Sequence, residues 1–310
     1  MNIAATKKNT YIGIALAIIT TIIWSGNFII ARGVYKEIPP ISLAFYRWLL
    51  ASIIIFFISY KKFIAEKTFV FKHWKYLFWV ALMGITLFNT FIYIAGHYTS
   101  AINLALIGTT SAPVFAIIIS AIFLHEHITP LRIAGLLFCI AGVLVLLSKG
   151  SIATLLAFKF SAGDVWILLS AFVFSIYTVL VKRKPATISP ITFLFAIFIG
   201  GTLLLLPLFI IETLVMPPVI WGKNLFGSIL YLGIGASVIS FFCWNAAIAR
   251  IGSIRTALFG NLIPIFSTLE AVWLLGETIT VVHIISGALV IIGLVLANLK
   301  KAQGKKTMIN

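Results

Sequence analysis

Apolar residues recur along this chain in blocks of about twenty, each closed by a short break rich in Lys, Arg, Pro, Gly or Asn. Ten such blocks fall near 12–31, 41–60, 75–95, 101–124, 131–148, 164–181, 191–211, 225–247, 254–275 and 281–299. An α-helix needs about 20 apolar residues to cross the hydrocarbon core of a bilayer. The pattern therefore predicts an all-α integral membrane protein of ten transmembrane helices. The first block follows Lys7 and Lys8, as in a secretory signal, but its length suits a retained spanning helix better than a cleaved leader.

The second half of the chain echoes the first. From Pro113 the sequence reads PVFAIIISAIFLHEHIT, and from Pro264 it reads PIFSTLEAVWLLGETIT. Glu126 and Glu277, Thr129 and Thr280, and Gly142 and Gly293 all share one offset of 151 residues. The polar stripes agree as well. Thr86, Asn89 and Tyr93 lie on one helical face, and Ser237, Ser240 and Trp244 repeat them. Thr20, Trp24 and Asn27 are repeated, at an offset of 150, by Ser170, Phe174 and Tyr177. The chain thus divides into repeats at 12–148 and 164–299. Each holds five helices, an odd number, so the second enters the membrane inverted. Inverted repeats are a common plan of secondary transporters, with substrate held near the midplane between them.

Composition removes the soluble alternatives. The chain has 310 residues, 62% hydrophobic and 10% charged, against roughly 25% charged in soluble domains. The net charge of +16 would point to nucleic acid in a soluble protein; here the basic residues sit in short breaks. Counted by side, 17 Lys and Arg accompany the two termini, 5 face the other way and Arg47 lies inside a block. The positive-inside rule then places both termini in the cytoplasm. Cys139 and Cys243 both lie in apolar blocks, which gives no disulfide framework.

The candidate chemistry is sparse. Pro113 and Pro264 fall within helices and free the carbonyls of Thr109 and Gly260, beside Asn261; such groups need protein or water as partners. Trp24, Asn27, Asn89, Tyr93, Tyr177, Ser240 and Trp244 are candidates to line a cavity for an amphipathic small molecule, although Trp and Tyr also form interfacial belts. Two ionisable residues break the symmetry. Arg47 and Glu270 lie within blocks, while their repeat positions hold Ile197 and Ile119. Intramembrane charges are costly and either paired or functional, so the two are expected to contact substrate or each other, and Glu270 is a candidate for a coupling proton. Glu126 and Glu277 end their helices and are candidates for gating or loop capping. His125, Glu126 and His127 lack a third ligand cluster, so no metal site is expected. No cofactor fingerprint, phosphate loop or nucleophile elbow is present, and an intramembrane enzyme is not expected.

Trp24-Ser25-Gly26-Asn27-Phe28, Phe45-Tyr46-Arg47, Thr99-Ser100-Ala101, and the repeated Pro, Glu and Gly positions carry a resemblance over nearly the whole chain. It resembles the drug/metabolite transporter superfamily, specifically its ten-helix EamA-type members. The resemblance implies a multi-pass transporter of the bacterial inner membrane that exports amino acids or related metabolites by alternating access. A multidrug or lipophilic-cation exporter is the alternative. Its expected partners are a small-molecule substrate and membrane lipid, with no nucleic acid; both monomer and homodimer stay open.

Overall fold

The computed structural model of the protein describes residues 3–124, 130–148, 151, 153, 161–251, 256 and 259–298. In hydrocarbon each backbone N–H and C=O must be satisfied within the segment, so long apolar blocks become helices. They are α1 (Ile3–Gly33), α2 (Pro40–Lys72), α3 (Trp74–Gly96), α4 (Ala101–Leu124), α5 (Pro130–Leu147), α6 (Ala162–Lys182), α7 (Pro190–Val215), α8 (Lys223–Ile251), α9 (Ile263–Leu275) and α10 (Val281–Asn298). Six of them (α1, α2, α3, α6, α7 and α8) are long and apolar enough to cross a membrane, and four shorter apolar helices accompany them. The protein is a helical, multi-pass membrane protein. Leu214, Trp273 and Phe57 are among the side chains that point outward, 80%, 84% and 77% exposed, which suits a lipid surround and not water.

The helices depart from the sequence expectation in four places. α2 runs on to Lys72, well past the end of its apolar block at 60, because good helix formers continue with Lys61, Lys62 and Lys67 on the exposed side. α3 and α8 each loosen into a π-helix, over Leu82–Leu87 and Tyr231–Ile239. Finally, Pro264 does not kink a continuous helix. It sits in the first turn of α9, behind a 3₁₀ turn at Gly260–Leu262. There its missing N–H costs nothing. Pro113, by contrast, lies inside α4.

The helices pair reciprocally. α1 packs on α8 and α3 on α6, α4 packs on α6 and α9 on α1, while α2 meets α7 and α5 meets α10. Residues 150 or 151 apart touch one another. Ser52 Oγ lies 3.0 Å from Thr202 Oγ1, the Trp48 ring is 4.8 Å from that of Phe198, and Cys139 Sγ lies 3.9 Å from the carbonyl of Val290. The α5–α10 crossing is close because Gly142 and Gly293 are bare. A methyl on Gly142 would meet Val290 and Ser286, and one on Gly293 would meet Cys139 and Gly135.

Three carboxylates fasten helix starts in trans. Glu212, near the end of α7, accepts from Ile41 N (3.0 Å), Ser42 N (2.6 Å) and Ser42 Oγ (2.7 Å) at the start of α2. Glu66, near the end of α2, accepts from Ser189 N and Oγ, both at 2.9 Å, at the start of α7. Glu277, just after α9, accepts from Ala101 N (2.7 Å) and Ile102 N (3.1 Å) at the start of α4. The first N–H groups of a helix have no partner in their own helix and carry partial positive charge, so each carboxylate answers both needs.

Candidate functional site

Arg47 is 5% exposed, deep between α1, α2, α3 and α8. Its Nη1 donates to Asn27 Oδ1 (2.6 Å), Asn89 Oδ1 (2.8 Å) and Tyr93 Oη (2.7 Å), and its Nε donates to Ser237 Oγ (3.0 Å). Tyr93 in turn donates to Asn27 Oδ1 at 3.1 Å. The guanidinium also lies 4.8 Å from the Trp48 ring. Helical spacing brings Asn89 and Tyr93 to one face of α3, and the π segment of α8 presents Ser237 opposite. Every one of these partners is neutral. Among the described residues the only ion pair is Lys62–Glu66, at 3.4 Å, so no carboxylate among them neutralises Arg47. A buried guanidinium surrounded by neutral hydrogen-bond acceptors keeps its full charge, and the anion that a guanidinium suits best is a carboxylate or a similar oxyanion.

Glu270 does not pair with Arg47. Its Oε1 lies 2.6 Å from Ser25 Oγ on α1, and its Oε2 is buried without a hydrogen-bond partner. Ser25 and Asn27 are two residues apart, about 200° around the helix, so Glu270 and Arg47 engage α1 from opposite sides. Between them Gly26 admits the Tyr231 ring, which a side chain there would strike. The Tyr231 hydroxyl donates to Ile23 O at 2.8 Å.

The other candidates divide. Trp24 donates from Nε1 to Ala236 O (3.1 Å) and packs on Trp244, with ring centroids 5.0 Å apart. That is an internal contact rather than an interfacial belt. Tyr177 packs against bare Gly84. Ser240 Oγ is buried without a partner, and its carbonyl accepts from Thr20 Oγ1 at 3.5 Å. Thr109 Oγ1 donates to Ala105 O in its own helix, away from Arg47. Pro264 is buried and Pro113 half-buried. The structure therefore joins Asn27, Arg47, Asn89 and Tyr93 by hydrogen bonds, while the hydroxyl of Thr109 bonds within its own helix. Glu126 and the side chain of Asn261 lie outside the described residues. Among the described residues no group of His, Cys, Asp or Glu could hold a metal.

Ser237, Glu66 and Glu212 had not been singled out. Ser237 was visible as the repeat position of Thr86. The two glutamates carried a plainer signal. The chain has only 7 Asp and Glu in all, so each is expected to have a specific partner.

A buried polar center enclosed by reciprocally packed apolar helices is the arrangement of a helical membrane protein rather than a soluble fold. The chain matches the EamA-like transporter family over residues 11–148 and again over 161–299, and it belongs to that family. It is 31% identical to an "Uncharacterized transporter" of Archaeoglobus fulgidus over 93% of this chain and 98% of the relative. It is also 30% identical to a "Probable terminal-alkyne amino-acid exporter" of Streptantibioticus cattleyicolor, over 60% of this chain and 61% of that one. A "Probable amino-acid metabolite efflux pump" of Escherichia coli is 21% identical over 90% and 92%. A solved structure titled "Crystal structure of protein" shares the fold, with a TM-score of 0.62, 20% identity and coverage of 94% and 96%.

Proposed function

We propose that this protein is a secondary active or facilitative transporter that exports amino acids or related carboxylate-bearing metabolites across the bacterial inner membrane. It works by alternating access between two inverted five-helix repeats, 12–148 and 164–299, with ten spanning helices and both termini cytoplasmic. The observation that carries the reading is Arg47, a buried guanidinium held by four neutral groups. A substrate carboxylate is the counter-charge that suits it. Reciprocal helix pairing and the contacts between positions 150 and 151 apart support the repeat. The exporter and efflux names of two relatives support the substrate class.

The Glu277 cap on α4 gives one helix end a bond that can open and close in the cycle. The free Oε2 of Glu270 favors a second reading, a lipophilic-cation exporter. Arg47 in the same central region opposes it, since a cation would meet an unneutralised guanidinium. The test is reconstitution into liposomes with a panel of labelled amino acids, with and without a pH gradient. Movement of acids supports the proposal. Movement of lipophilic cations with no acid moved would replace it by the second reading.

A further inference from the structure

Ser25 has one hydroxyl proton and two acceptors. Its Oγ lies 2.6 Å from the carbonyl of Ile22 and 2.6 Å from Glu270 Oε1. One proton cannot sit in both contacts. A second proton, on the Glu270 carboxyl, completes the chain: Glu270 donates to Ser25, and Ser25 donates to Ile22. The other carboxyl oxygen, Oε2, is buried and has no partner, so an ionised carboxylate would leave a buried anion held by half a hydrogen bond. We infer that Glu270 is a proton-binding site, and that the Ser25-Gly26-Asn27 stretch of α1 couples its occupancy to Arg47. The coupling rests on the proposed substrate site; the proton site does not.

The groups around Glu270 are few. α1 presents Ser25, and α4 has no charged residue along Ala101–Leu124. α10 carries His283, engaged with Thr280 and with Asn103 near the Glu277 loop. α8 brings Tyr231, which lies within electrostatic reach of Glu270 and also of Arg47, on α2. Among the described residues no cation pairs with the carboxyl, so a proton is the ligand that fits.

The step is a protonation and its reverse. The carboxylate takes a proton from water on one face of the membrane, donates it in a hydrogen bond to Ser25 Oγ, and later releases it to water on the other face. When the carboxyl is loaded, the chain through Ser25 to Ile22 ties α1 to α9. When it is empty, that tie is one proton short. The opposite side of α1 is tied through Asn27 to Arg47, the group offered to the substrate. Gly26 lets Tyr231 fill the space between the two sides, so a shift of α1 toward one charge is a shift away from the other. Proton and substrate thus compete for the position of one helix, which is what an exchanger requires.

The test uses the full-length protein and two readouts. Infrared difference spectra between acidic and alkaline buffer, without substrate, should show a protonated-carboxyl band in the native protein that is absent in Glu270→Gln. A band that persists in Glu270→Gln would overturn the proton site. In liposomes, Glu270→Gln should lose the accumulation driven by a pH gradient by about ten-fold, within the usual range of coupling energies. The remaining exchange should stop responding to pH. Accumulation and a pH profile like those of the native protein would overturn the coupling. Ser25→Ala should keep the band but displace the pH at which it appears; an unmoved profile would also overturn the coupling. If no acid is transported at all, the Arg47 reading fails while the infrared result still decides the proton site.

Discussion

α2 and α7 are bound by the same device used twice, yet they differ at one matched position. Each ends in a glutamate that caps the start of the other. Each contributes one member of the Ser52–Thr202 and Trp48–Phe198 contacts. About two turns into each helix, α2 carries Arg47 and α7 carries Ile197, which is fully buried. The matched contacts build a frame. The unmatched residue is the one whose burial has to be justified by something outside the frame. An isoleucine at this depth is what hydrophobic packing alone would choose, whereas an arginine is not. The difference separates residues that hold the protein together from the residue proposed to bind the substrate.

The comparison can be broken by mutating both positions. Arg47→Gln should weaken acid binding by about ten- to a hundredfold, since a hydrogen bond to a charged group contributes about 1.5–3 kcal/mol. Competition for labelled substrate measures it. Ile197→Ala should do the opposite, lowering thermal stability by about 2–4 kcal/mol for a large-to-small change in the core with little change in affinity. If Arg47→Gln lost stability but bound acids normally, the assignment of the two roles would be wrong.

The caps sharpen the picture at smaller scale. Glu212 is buried and accepts three hydrogen bonds, whereas Glu66 is more exposed and accepts two from Ser189. Glu212→Ala should cost about 2 kcal/mol and Glu66→Ala about 1 kcal/mol, in the range of helix N-cap losses. Denaturant or thermal unfolding in detergent tests the order; a larger loss at Glu66 would contradict it. The smallest effect is expected at His97, just beyond α3. Burial, and then the nearby Arg32, hold its imidazole below the usual value of 6.5. The unfolded chain then binds this proton more tightly than the folded one, so stability is fully present above that value and falls as the pH drops through it. The matching position is Ile248. His97→Asn should flatten this part of the stability–pH curve, and an unchanged slope would show that other groups set it.

Much of the frame was legible because hydrophobicity and spacing are local. The apolar blocks mark helices, and the 150–151 offset marks the repeat. Asn27, Asn89 and Tyr93 could be placed on inward stripes, and the structure brings them to Arg47. What the local pattern could not carry was partner choice. Ser25 was read only as part of a motif, and nothing nearby in sequence pairs it with Glu270, 245 residues on. The caps by Glu66 and Glu212 likewise join segments more than a hundred residues apart. The π segments in α3 and α8 were missed for a related reason. Their wider turn has little sequence signature and is stabilised by what packs on it, with Tyr177 against Gly84 and Leu50 against Gly233. The end of α2 was misplaced because a helix leaving the bilayer continues as an amphipathic one, and the apolar run ends before the helix does.

The most direct measurement is competition by close analogues in reconstituted exchange. An amino acid, its amide and its decarboxylated amine differ only in the group offered to Arg47. The acid should compete for the labelled substrate, while the amide and the amine compete at least about ten-fold more weakly. Competition by the amine equal to that of the acid would contradict a carboxylate site at Arg47.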